Sequence, residues 1–140
     1  MRRSGFFILS FLALVVGYII YIGWRDSVPS FDFIQYHQKL WSFLRDSLGD
    51  RVLLPVWIVY SLPQGLWAFA FSLYLGGIWY EGPVKVGYGW LITCLVIVVL
   101  WEVFQQLGYI SGTFCWVDIS VGISGVGLGI LLFTFKKVES

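Results

Sequence analysis

Two carboxylates stand inside otherwise uncharged apolar runs of this chain, Glu102 and Asp118. An ionisable group within a membrane-spanning helix costs about 2.5–3.5 kcal/mol on insertion scales, and by default it marks function. Gln105 and Gln106 follow Glu102 at i+3 and i+4, so one helix face offers the carboxylate one or both amides. Gln64 lies in the first turn of another apolar run, between Pro63 and Trp67. A carboxylate accepts hydrogen bonds and exchanges protons, while an amide both donates and accepts. Glu102, Asp118, Gln106 and Gln64 are therefore the candidate binding residues. Glu102 is the principal hydrogen-bonding or acid/base group, Asp118 its partner, and the amides orient. The competing reading is plain interhelical hydrogen bonding, worth roughly 0.6 kcal/mol per contact in measured cases.

Other chemistries lack their residues. There is no Ser-His-Asp set, no HExxH, no phosphate-cradling glycine loop before a lysine, and no cysteine pair at metal spacing. No metal and no cofactor is expected. Cys94 falls mid-run and Cys115 in a loop, so a disulfide between them is not expected. No arginine lies within a span, which weakens a catalytic anion site.

The elements that must position these residues follow from the composition. Of 140 residues, 59% are apolar and only 12% charged. A soluble domain is about 45–50% apolar and about 25% charged, so a solvated shell cannot be built from this chain. The formal charge of +1 leaves no basic surface for a nucleic acid. Four uncharged or nearly uncharged runs predict four transmembrane helices in a single membrane domain, over about 5–24, 62–80, 86–107 and 116–135. The first follows Arg2 and Arg3 but lacks a small-x-small cleavage site, and reads as an uncleaved anchor rather than a signal peptide. The second run, Val52 to Tyr80, has 29 residues and contains Pro55 and Pro63. It therefore divides into a short interfacial lead-in and a main span from about Leu62.

Between the first two runs, Ser30 can cap a helix and Gly49 can end it. Over 31–48, Phe33, Ile34, Tyr36, Leu40, Trp41, Phe43, Leu44 and Leu48 share one half of the helical wheel. This predicts an interfacial amphipathic helix that covers the bundle end or rests on headgroups, or alternatively forms a lid. His37 at its edge reads as a packing residue.

Orientation rests on basic residues. With the N-terminus cytoplasmic, Arg2, Arg3, Lys85, Lys136 and Lys137 are inside. Arg25, Lys39, Arg45 and Arg51 are outside, balanced by Asp26, Asp32, Asp46 and Asp50. Both termini are then cytoplasmic in an integral cell-membrane protein. The third and fourth spans form an antiparallel hairpin through the loop 108–115, so Gln64, Glu102, Gln106 and Asp118 converge at the extracytoplasmic face. In the fourth span, Gly122, Gly125 and Gly129 form a small-residue face. It packs against the third span or, alternatively, holds a second copy or another membrane protein.

The stretch Trp101-Glu102-Val103-Phe104-Gln105-Gln106, then Gly112-Thr113-Phe114, Asp118, Gly122 and Gly125, resembles the C-terminal half of VanZ-like membrane proteins. Ser61 to Ala68 resembles the start of the second span in some relatives. The likeness covers roughly residues 61 to 130. Two features depart from it: no Arg lies between Gln106 and Asp118, and Ser120 or Ser124 stands where many members carry Asn. The resemblance implies a four-helix membrane protein of the cell envelope, in the namesake linked to glycopeptide-antibiotic resistance. The expected function is recognition of a membrane lipid or lipid-linked envelope component by the polar cluster. The alternatives are an intramembrane enzyme acting on such a lipid, with Glu102 and Asp118 as acid and base, and a structural subunit of a membrane complex.

Overall fold

A computed structural model describes residues 3–24, 54–110 and 112–138, with side chains up to Phe135, and isolated positions between 39 and 47. The described part is all-helical: α1 Arg3–Trp24, α2 Val56–Tyr60, α3 Leu62–Ile78, α4 Val84–Gln106 and α5 Trp116–Val138. Three of these, α1, α4 and α5, are long and apolar enough to cross a membrane. The 17-residue α3 is shorter than the expected 62–80 span. The expected amphipathic helix over 31–48, with His37, falls outside the described residues apart from Lys39, Ser42, Phe43, Asp46 and Ser47.

The prolines divide the second run as expected. Pro55 precedes the five-residue α2, and Pro63 sits in the first turn of α3, where its missing N–H removes no helical bond. Ser61 joins the two helices with its N–H on the Trp57 carbonyl at 2.9 Å.

α3 is the centre of the bundle, and small residues let its neighbours approach. It runs antiparallel to α1, as contacts along its length show. Arg3 donates to the Gly77 carbonyl at 3.1 Å, and Ser10 donates to the Ala70 carbonyl at 2.8 Å. The Tyr21 and Trp67 rings meet at the other end, 5.3 Å apart. The Arg3 bond satisfies a carbonyl in the last turn of α3, where helices have no internal donors left.

α5 runs parallel to α3, and here the glycine face is used. A Cβ on Gly125 would overlap the Gly65 carbonyl, and one on Gly129 would overlap the Ser72 hydroxyl. Gly122 instead meets Val98 of α4, at 2.6 Å from a built Cβ. The expected packing of this face against the third span thus holds for Gly122 alone. Gly125 and Gly129 pack on α3, because a parallel small-on-small contact lets those two backbones nearly touch.

α4 closes the bundle antiparallel to both α3 and α5. At one end Phe6, Leu73, Leu91 and Phe133 form a fully buried core. Tyr88 meets Phe133 edge-on at 5.7 Å, and its hydroxyl bonds Thr134 Oγ1 at 2.8 Å. The opposite end holds the polar residues. Outside these contacts the helices are apolar on their exposed sides, as Phe11, Leu12, Ile92, Val96, Leu128 and Leu131 illustrate. Helices that are hydrophobic all round suit a lipid surrounding.

Candidate functional site

The polar end is built by the way α4 stops. Gly108 takes φ +75°, a left-handed conformation glycine adopts at no steric cost. Its N–H bonds the Gln105 carbonyl at 3.0 Å, and the Tyr109 N–H bonds the Phe104 carbonyl at 2.9 Å. The Tyr109 ring then packs edge-on against Phe104 at 6.2 Å. This is a Schellman ending with its hydrophobic clasp. It turns the chain back so that Cys115 starts α5 beside Glu102. The cysteine carbonyl accepts the Asp118 N–H at 3.1 Å, as the first bond of α5.

Glu102 is 0% exposed, on the face of α4 that also buries Gly87, Leu91 and Cys94. Its Oε1 accepts from Gln64 Nε2 of α3 at 2.9 Å. Its Oε2 accepts the backbone N–H of Cys115 at 3.2 Å. Gln105, with its amide turned to suit its neighbours, donates to Oε2 at 3.3 Å and accepts the Trp101 indole N–H at 3.2 Å. One carboxylate therefore ties α3, α4 and the start of α5 together. In a helix, a residue in the first turn can cap its own N-terminal N–H groups. Here Glu102 caps α5 from the neighbouring helix, in the position that a helix dipole favours for a carboxylate.

Gln64 and Glu102 are in direct contact. Gln106 is exposed, and the i+3 amide of Gln105 takes the place at the carboxylate instead. Gly112 helps select it: its φ is +146°, and a Cβ there would overlap the Gln105 side chain. Asp118 lies one turn into α5, half-buried. Its Oδ1 is covered and has no hydrogen-bond partner among the described residues. An acceptor left so costs roughly 1–3 kcal/mol. Asp118 is tied to the Glu102 cluster through the backbone of Cys115, whose N–H bonds Glu102 and whose carbonyl accepts the Asp118 N–H.

A second feature lies between α1 and α3. Leu14, Val15 and Tyr18 of α1 with Trp67 of α3 line an apolar, open groove of about 280 Å³. Gly17 of α1 packs closely on Trp67, since a Cβ there would lie 2.8 Å from the indole nitrogen. Trp67 is one turn from Gln64, so groove and polar cluster share a level of the bundle. Cys94 and Cys115 are both free, and among the described residues no group of His, Cys, Asp and Glu could hold a metal. The chain matches no family model, no curated protein and no solved structure.

Proposed function

We propose that this is a four-span integral membrane protein of the VanZ-like kind, which recognises an amphiphilic or lipid-linked component of the cell envelope at its polar end. The observation that carries the reading is Asp118 Oδ1, a covered acceptor without a donor among the described residues, one helical turn from the Cys115 that Glu102 holds. Native proteins rarely leave such an atom unsatisfied, and a ligand group is one way to complete it. The apolar groove of Leu14, Val15, Tyr18 and Trp67 at the same level suits the chain of such an amphiphile.

Support for four spans is the depth that α3 shares with α1. Its contacts run from Arg3–Gly77 at one end to Tyr21–Trp67 at the other, and 17 residues lie at the short end of the roughly 17–25 that span a bilayer. Four spans return both termini to one side, which the basic residues make cytoplasmic. The polar end then faces outward. Glu102, Gln106, Asp118, Gly122 and Gly125 carry the VanZ-like resemblance.

A second reading has its own observation. Both oxygens of Glu102 are satisfied from within the chain, which suits a purely structural pin. Native mass spectrometry of the protein released from mixed-lipid nanodiscs separates the two. Recognition predicts that one headgroup class is retained above its share in the bilayer. Retention in proportion to bilayer composition overturns recognition and leaves the pin.

A further inference from the structure

The geometry points to a division of labour and a ligand class: Asp118 is the headgroup-engaging residue, Glu102 only positions it, and the group bound is a hydrogen-bond donor, an ammonium or a hydroxyl, rather than a phosphate. This rests on the headgroup-recognition reading above.

Three donors already occupy Glu102, from Gln64, Gln105 and the Cys115 N–H, and the residue is fully buried. A ligand reaching it would have to break bonds that hold three helices. Asp118 is different. Its side chain is half-buried, and its Oδ1, though covered, has no donor among the described residues. What the cluster lacks is therefore a donor and not an acceptor. An ionised carboxylate only accepts. It attracts an ammonium and bonds a hydroxyl, but repels a phosphate that offers no proton.

The surroundings agree. Among α1–α5, the basic residues Arg3, Lys85, Lys136 and Lys137 belong to the opposite end, while Arg25, Lys39, Arg45 and Arg51 of the first loop are balanced by Asp26, Asp32, Asp46 and Asp50. Phosphate recognition leans on basic residues. Glu102 fixes where Asp118 stands, because Glu102 holds the Cys115 N–H and Cys115 begins the turn that carries Asp118.

The test uses full-length protein in nanodiscs of phosphatidylcholine, each doped with one competitor of matched chains. Phosphatidylethanolamine supplies an ammonium and glucosyl-diacylglycerol supplies hydroxyls. Phosphatidylglycerol supplies hydroxyls on an anionic lipid, and phosphatidylcholine itself has no donor. Retained lipid is read by native mass spectrometry, and folding by thermal unfolding.

The wild type is expected to enrich the ethanolamine lipid, the glucosyl lipid or both over phosphatidylcholine. Asp118→Ala should lower that enrichment roughly tenfold, the scale of one charge-assisted bond, without lowering the melting temperature. Asp118→Asn separates the sources: it keeps an acceptor for a hydroxyl but loses the charge that holds an ammonium. Gln64→Leu should lower the melting temperature and weaken all lipids alike.

A wild-type preference for phosphatidylglycerol above the ethanolamine and glucosyl lipids that persists in Asp118→Ala assigns recognition to basic residues elsewhere and overturns this inference, as does any selectivity that survives Asp118→Ala. Should Asp118→Ala not fold, the wild-type ranking and Asp118→Asn decide alone. A wild type with no headgroup preference sinks the recognition reading itself.

Discussion

At the residue scale, the cluster turns on which side chains actually meet. Glu102 and Gln64 are legible as residues of one level, because a charge and an amide stand out in apolar runs once the spans are counted. The expected partner of Glu102 was Asp118, but the amide of Gln64 is the side chain that bonds it. The choice between Gln105 and Gln106 was not legible, since i+3 and i+4 are equivalent on an ideal helix. It is made by the loop, where Gly112 leaves room for Gln105. The Cys115 N–H was invisible for another reason: every residue has a backbone donor, and only the turn at Gly108 selects this one.

These assignments are separable by mutation. Gln64→Leu and Gln105→Ala each remove a donor from a buried carboxylate and should cost roughly 1–3 kcal/mol in reversible unfolding in detergent. Gln106→Ala, at an exposed position, should change stability by less than about 0.5 kcal/mol. The reverse order would place the wrong amide at Glu102.

At the element scale, helix existence and approximate length followed from uncharged runs, and the division at Pro55 and Pro63 followed from proline chemistry. Which helix a glycine faces did not. Gly122, Gly125 and Gly129 form one stripe in the sequence, yet they serve two neighbours, because α5 sits in the angle between α3 and α4. The periodicity of one helix carries no information about its partner's azimuth. The consequence is a graded response to alanine. At Gly125 the new methyl meets the Gly65 backbone, which cannot rotate away. Gly125→Ala should therefore cost about 1–3 kcal/mol as overpacking. Gly127→Ala meets nothing within 4 Å and should be neutral or slightly stabilising, since alanine is the better helix former. Melting temperatures of the two variants measured side by side check this, and equal losses would contradict the packing described. Gly108→Ala, at φ +75°, should loosen the end of α4 and lower stability by about 1 kcal/mol.

At the scale of the whole molecule, the scarcity of charge has a definite distribution. One end of the bundle is an aromatic and aliphatic core around Phe6 and Phe133, with Arg3 and Glu81 paired at 3.9 Å on its surface. The other end holds a buried carboxylate network and exposed aromatic rings, Trp57, Tyr109 and Trp116 among them. Such rings favour the membrane–water boundary. The proposed topology puts this second end outside the cell. In a cysteine-free background, Tyr109→Cys should then react with a membrane-impermeant maleimide on intact cells. A cysteine in place of Ser140, and one in place of Ser4, should each react only after permeabilisation. Labelling of these two from opposite sides would contradict four spans and favour three.

The central claim is that the polar end completes itself with a ligand, and one measurement bears on it most directly. It is an experimental structure of the protein in nanodiscs containing phosphatidylethanolamine and glucosyl-diacylglycerol. The account predicts a headgroup donor at hydrogen-bonding distance, about 2.7–3.2 Å, from the Asp118 carboxylate, with Glu102 still held by Gln64 and the Cys115 N–H. An Asp118 satisfied by the protein's own groups, with only disordered bilayer lipid around it, would contradict the account.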